Sequence, residues 1–295
     1  MTTETTALEK LTALLNLEQI DDNLFLGRKA NEGWQRVYGG QVLGQALAAS
    51  ARTVSGDRPI HSLHGYFILA GDPNHDIVYD VERIRDGGSF ATRRVKAIQH
   101  GKAIFAMSAS FHKAEDGFDH QTPLPAVPDP ESLPDAKTVM AQYLDALPEN
   151  MRAYWQRERP IEVRLVDPTR YASRDKRLAQ QMIWLRANGT LPDDPRLHQA
   201  VLAYASDFTL LDTALIAHGK LMFDRDVQLA SLDHAMWFHR PFRADTWLLY
   251  VQDSPSAFGA RGFCRGSIYD RQGRLVASTA QEGLMRKRDT AFVIK

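Results

Sequence analysis

Hydrophobic positions along this chain follow two periods, and the periods alternate in an order that occurs twice. Leu8, Leu11, Leu14 and Leu15 recur at three- and four-residue steps and predict a short amphipathic helix over 6–16. Asp21-Asp22-Asn23 reads as a turn leading into a short strand that ends at Gly27. From Val37 to Ala49 nearly every residue is small or apolar, and Gly39-Gly40 stands at the start. Such a stretch has little face to offer water, so it predicts a buried helix around which a sheet can wrap closely. Period-two alternation then takes over in His61–Leu69, Asp76–Arg85, Phe90–Gln99 and Ala103–His112, with turn signals at Gly71-Asp72-Pro73-Asn74, Asp86-Gly87-Gly88 and His100-Gly101. One buried helix followed by a run of antiparallel strands is an α+β unit.

Five prolines and several acidic residues between 115 and 136 read as an exposed linker, and helical spacing resumes over 137–157 through Met140, Tyr143, Leu144 and Leu147. The first order then returns: short strands at Ile161–Val166 and Gln181–Leu185, a helical stretch over Arg196–Gly219, and strands at Ala230–Phe238, Thr246–Gln252, Gly259–Asp270 and Leu275–Met285. Letters line up too. Tyr38-Gly39-Gly40-Gln41 matches Tyr204-Ala205-Ser206-Asp207, His61-Ser62-Leu63-His64 matches Ser231-Leu232-Asp233-His234, and Gly101-Lys102-Ala103-Ile104 matches Gly273-Arg274-Leu275-Val276. The chain reads as a tandem duplication: a first unit over 1–115, a proline-rich linker with a connecting helix over 116–159, and a second unit over 160–295.

Differences between the copies point to the chemistry. The second copy has Asp207, expected near the start of its helix, where the first has Gln41; it has Ser231 for His61 and Gln281 for Ala109. Each has a plain reading: Asp207 as a helix cap, Gln281 as an edge residue facing water, Ser231 as nothing in particular. Together, a carboxylate, a hydroxyl and a carboxamide on three core elements can hold and deprotonate a water molecule. The glycine-opened helix start leaves backbone N–H groups free at Gly39 and Gly40, which suits a polarised carbonyl oxygen. His64 and His234 occupy matched letters, an argument for shared structure over unique catalysis. Asp233-His234 is a dyad in letters only, because adjacent strand residues face opposite ways.

Composition narrows the rest. Lys plus Arg and Asp plus Glu both number 36, so no net charge favours nucleic acid or a membrane surface. An anionic ligand must instead meet a local cluster, such as Arg93, Arg94 and Lys96 or Arg261 and Arg265. Cys264 is the single cysteine, which rules out a disulfide within the chain and a thiolate zinc site, and no metal site is expected. No apolar run approaches membrane-spanning length, no secretory signal opens the chain, and Val293-Ile294-Lys295 is not a peroxisomal tripeptide. A cytoplasmic enzyme without a cofactor is the expectation. No Gly-x-Ser-x-Gly elbow is present, which disfavours a serine nucleophile.

Val37–Leu47, Asp86-Gly87-Gly88-Ser89-Phe90, Ser231–Arg240 and Ala277–Gly283 together resemble the acyl-CoA thioesterase II family nearly end to end. The resemblance implies a double hotdog: two helices, each wrapped by an antiparallel sheet. It also implies acyl-CoA as substrate and pairing of chains into homo-oligomers through their sheets. Members use an Asp, a Thr and a Gln to organise the hydrolytic water. The resemblance places these at Asp207, Ser231 and Gln281, with Ser in place of Thr keeping the hydroxyl. Two other readings stay open at this point. One is an enoyl-CoA hydratase on the same fold, which needs an Asp and a His converging on one water. The other is a non-catalytic acyl-CoA binder.

Overall fold

The computed structural model describes residues 5–30, 36–141, 157–171, 173–222 and 224–288. Among them, the first copy supplies α1 (Ala7–Leu15), β1 (Glu18–Asp21), β2 (Leu24–Gly27), α2 (Gly39–Arg52), β3 (Ile60–Phe67), β4 (Ile77–Asp86), β5 (Phe90–Gln99) and β6 (Lys102–His112). A short helix, α3 (Ala136–Ala141), precedes the second copy: β7 (Ile161–Leu165), β8 (Gln180–Ala187), α4 (Pro195–Ser206), α5 (Thr213–Ile216), β9 (Val227–Ser231), β10 (Asp233–Phe238), β11 (Leu248–Phe258), β12 (Arg261–Asp270) and β13 (Leu275–Lys287). The helix expected over 137–157 begins as α3, and its continuation through Tyr143, Leu144 and Leu147 lies outside the described residues.

All the strands join one antiparallel sheet, ordered β1-β2-β4-β5-β6-β3-β10-β13-β12-β11-β8-β7, with β9 also beside β13. Read inward from its two ends, the order is the same, so the duplication seen in the letters is present in the sheet. The copies meet at the middle, where β3 and β10 pair antiparallel, Ala235 opposite His64 and His234 opposite Gly65. This is the double hotdog.

Helix α2 is buried along most of its length, as its composition predicts, with Leu43, Ala46, Leu47 and Ala49 fully enclosed. It packs on α4 and on β3, β4, β5 and β6. The two central helices run past each other in opposite directions. Tyr204, late in α4, lies against Gly40 at the start of α2, and Arg196, early in α4, donates 2.9 Å to the carbonyl of Val54 beyond the end of α2. Close approach requires the glycine: a Cβ on Gly40 would lie 2.3 Å from the Tyr204 carbonyl oxygen.

The structure departs from the expected elements in three places. Strand β1 was not foreseen, because all four of its residues are exposed and show no alternation. The helix expected over Arg196–Gly219 stops at Ser206, and only the short α5 follows. The strand expected over Ala230–Phe238 is split at Leu232 into β9 and β10, where β3 is continuous. Between the copies, the proline-rich segment straps the outside of the second copy's part of the sheet. Its Leu124, Val127 and Leu133 pack on Trp184, Trp247, Leu249 and Tyr269, and the Trp184 indole donates 3.0 Å to the Pro128 carbonyl.

Candidate active site

Asp207 sits where the chain leaves α4, at the helix's C-terminal cap. This corrects the expectation that it opens a helix, and it changes which residues correspond. The residue at the same position after α2 is Thr53 rather than Gln41. Freed from capping, the Asp207 carboxylate turns to the sheet. Gln281, fully buried in the middle of β13, donates through Nε2 to Asp207 Oδ1 at 2.8 Å and to Ser231 Oγ at 2.8 Å. Ser231 closes β9 and is held opposite Gly283 of β13. The break at Leu232 lets Ser231 be followed by a strand of different register. Three residues far apart in sequence therefore share one hydrogen-bonded group.

The first copy completes it. The N–H of Gly40 and the Ser231 hydroxyl are directed at the Asp207 carboxylate and favour its charged form. A Cβ on Gly39 would stand 2.7 Å from Asp207 Oδ2, so only glycine lets the start of α2 come this near. The carboxyl keeps some accessible surface yet is enclosed on most sides. Burial pushes its pKa up to about 6, with the bonds from Gln281, Gly40 and Ser231 pulling the other way. Loss of solvation outweighs three hydrogen bonds here.

The remaining candidates separate. His234 is fully buried, its Nε2 2.9 Å from Ser206 Oγ, and burial brings its pKa down to about 4, so the ring is neutral. His64 faces out from the same part of the sheet, exposed, edge-on to Trp237 with ring centres 5.0 Å apart. The two histidines are thus not at matched places, since the letters slip by one at the split strand. His64 is on the opposite face of the sheet from the Asp207 group. Asp233 accepts 2.6 Å from the Glu282 N–H, apart from its neighbour's ring.

Arg93 is only 1% exposed. It donates to Thr53 Oγ1 and O, to the carbonyls of Arg85 and Thr92, and to Asp86. It is therefore not free to meet a phosphate, contrary to the expectation. Its place in the sheet explains why. Arg93 pairs with Ala109 on β6, as Cys264 pairs with Gln281 on β13. Where the second copy has Gln281 bonded to Asp207, the first has a guanidinium bonded to Thr53. Arg94, Arg261 and Arg265 do face water and pair with Glu82, Glu282 and Asp253.

Cys264 is buried, and burial raises its thiol to about 11, which removes it as a nucleophile. Among the described residues one group has metal-ligand spacing, Asp72, His75 and His100 on surface turns. Its Asp72 carboxylate already accepts from the Asn74 N–H and bonds both imidazoles. A cavity of about 340 Å³ lies elsewhere, lined by Leu165, Arg170, Arg177 and Ile216 among others, and does not reach Asp207. Around the start of α2 the chain is closed by aromatic rings: Tyr38 stacks on Phe208, Tyr204 meets both edge-on, and Phe67 touches Phe105. Among the described residues no helix is long and apolar enough to cross a membrane.

Two contributions were not legible in the sequence: the Gly40 N–H directed at Asp207, and the buried ring of His234 beside Ser206. Both depend on packing between elements that no spacing reveals.

Comparison with known proteins agrees with the fold and with the duplication. Residues 30–112 match the family model described as Acyl-CoA thioesterase N-terminal domain, and residues 153–284 match that described as Acyl-CoA thioesterase. Acyl-coenzyme A thioesterase 8 of Homo sapiens is 44% identical over 287 residues, covering 94% of this chain and 88% of that protein. Acyl-CoA thioesterase 2 of Haemophilus influenzae is 41% identical over 279 residues, covering 95% and 98%. The crystal structure of an acyl-CoA thioesterase II, TesB2, from Mycobacterium marinum has a TM-score of 0.78 at 44% identity, covering 95% of this chain and 99% of that one. Matched in both halves and along nearly its whole length, the chain belongs to the acyl-CoA thioesterase family.

Proposed function

We propose that the chain hydrolyses fatty acyl-CoA to free fatty acid and CoA, with Asp207 as general base toward water and Ser231 and Gln281 as its partners. Family membership supports the reaction. The assignment of residues is supported by one observation: an enclosed carboxyl that accepts from Gln281, which it shares with Ser231, its pKa pushed up to about 6 by burial. Such a group is mostly ionised at neutral pH and still basic enough to take a proton from an attacking water.

Gln281 uses both amide protons on Asp207 and Ser231, so in this reading it holds those two side chains and not the water. The water donates one proton to Asp207 and the other to the remaining lone pair of the Ser231 oxygen, whose own proton is on Asp207. The water oxygen adds to the thioester carbonyl carbon as its proton passes to Asp207. The carbonyl oxygen gains negative charge beside the Gly39 N–H that opens α2, since those of Gln41 and Val42 bond to the Tyr38 carbonyl and that of Gly40 is directed at Asp207. An oriented donor is typically worth about 10²–10³ in rate. Collapse breaks the C–S bond, and the departing thiolate takes the proton from Asp207.

The acyl chain would lie between the helices and the sheet, parting the rings of Tyr38, Phe67 and Phe208. The CoA phosphates would meet Arg94, Arg261 or Arg265, whose exposed carboxylate partners are displaced at small cost. A cytosolic homo-oligomer, dimer or tetramer, is the setting we propose. Exposed apolar side chains at Tyr66, Ile68 and Leu69 support pairing through that part of the surface.

Asp207→Asn tests the assignment. Thiol release from an acyl-CoA should fall about 10²–10⁴-fold, while binding of a non-hydrolysable analogue stays within a few-fold. Turnover at the wild-type rate would remove Asp207 as the base.

A further inference from the structure

The carboxamide of Gln281 has one useful orientation. With Nε2 donating to Asp207 and Ser231, its Oε1 points away from both, into protein where water does not reach. Turned over, it would set an oxygen against the Asp207 carboxylate. Something must oppose that rotation, and the candidate lies on the next strand. Ala235 pairs with Ala280, so His234 is the cross-strand neighbour of Gln281 on the same buried face.

Gln281 Oε1 and His234 Nδ1 are both buried, and neither has a partner within hydrogen-bond geometry. The carboxamide is nevertheless close enough to favour the protonated form of the ring, as an acceptor does. On the ring's far side, Nε2 is 2.9 Å from Ser206 Oγ, a hydroxyl also 2.9 Å from the Ala203 carbonyl.

We propose that His234 is a positioning residue: its Nδ1–H tautomer engages Gln281 Oε1 and thereby keeps the amide protons on Asp207 and Ser231. Ser206, whose hydroxyl is placed to donate to the Ala203 carbonyl, supports that tautomer by turning its proton from that carbonyl to Nε2. The chain of bonds then runs Ser206, His234, Gln281, Asp207, with every donor matched to an acceptor. Bonds of this kind are often long in the unliganded enzyme and tighten when substrate is bound. The inference deepens the active-site reading above and rests on it.

Kinetics of five variants and one spectrum test it. His234→Leu should lower kcat on the order of 10²-fold with little change in KM, as a displaced catalytic group does. His234→Asn, which can present an N–H near the position of Nδ1, should recover most of that loss. The double variant His234→Leu with Gln281→Ala should be no slower than Gln281→Ala alone. Nitrogen-15 spectra of the wild-type imidazole should report the Nδ1–H tautomer. A wild-type kcat in His234→Leu, no recovery in His234→Asn, additive losses in the double variant, or an Nε2–H tautomer would each overturn the role. Should His234→Leu not fold, Ser206→Ala and the spectrum carry the test; Ser206→Ala should shift the ring toward the other tautomer and slow kcat. If Gln281→Ala itself turns over normally, the active-site reading fails; if it is slow and His234→Leu is not, only the positioning role fails.

Discussion

A single carboxyl shows how burial and hydrogen bonding compete in this molecule. Asp207 accepts bonds from Gln281, Gly40 and Ser231 and still has its pKa pushed up to about 6, because enclosure costs its charge more than those donors return. The folded state therefore holds a proton that the unfolded chain has already released between the ordinary carboxylate range and pH 6. Stability from this group is lost as pH rises through that window. Two measurements follow. The pH profile of kcat/KM should fall with a single-proton slope below about 6. The melting temperature of Asp207→Asn relative to wild type should be higher at pH 8 than at pH 4, and an equal offset at both would refute the assignment. His234 works in the opposite sense. Its pKa lies near 4, so its neutral burial favours the fold above the ordinary imidazole range and less so as pH falls toward 4. The grouping of Asp207, Ser231 and Gln281 was legible from the family pattern, which names those residue types. The copy comparison helped less, because it set Asp207 against Gln41 when the matching position is Thr53. Arg93 was not, because the letter Arg on an alternating strand is the same whether the guanidinium meets water or the end of a helix.

At the scale of elements, alternation located β3 to β6, β8, β10, β12 and β13 within a few residues, since each has one face on the core, while β9, half-buried throughout, was not separated from β10 and the end of β11 was missed. It failed for β1, which has no buried face, and for the end of α4, where no glycine or proline marks the break after Ser206. Nothing local signals that stop; the tertiary bond from Asp207 to Gln281 accompanies it. The equivalent end of α2 is secured by Arg93, which satisfies the Thr53 hydroxyl and carbonyl together. Arg93→Met should destabilise the protein by about 3 kcal/mol, read from denaturant midpoints, because the buried Thr53 hydroxyl and carbonyl and the part-buried carbonyls of Arg85 and Thr92 lose their donor. KM for acyl-CoA should be unchanged. A large rise in KM at unaltered stability would return Arg93 to the substrate.

For the whole molecule, the pairing of β3 with β10 joins two similar halves into one sheet and seats Gly39 and Gly40 of one half against Asp207 of the other. Of the three runs of letters that suggested duplication, Gly101–Ile104 with Gly273–Val276 holds in register, while Tyr38–Gln41 with Tyr204–Asp207 matches the start of one helix to the end of the other. The third, His61–His64 with Ser231–His234, slips by one at Leu232, where the strand splits with no insertion marked by a turn residue. Segments 1–115 and 116–295 made separately should each be inactive and poorly soluble, since each exposes an unpaired central strand. Made together, they should regain thiol release if the halves re-associate. Turnover by the second segment alone would show that the first contributes nothing to the chemistry.

A symmetric pair of such halves would offer two reaction centres. Here the guanidinium of Arg93 fills the earlier copy's vacancy and serves as a keystone under its helix. One centre per polypeptide is the consequence, and titration with a tightly bound non-hydrolysable acyl-CoA analogue should saturate at a single equivalent.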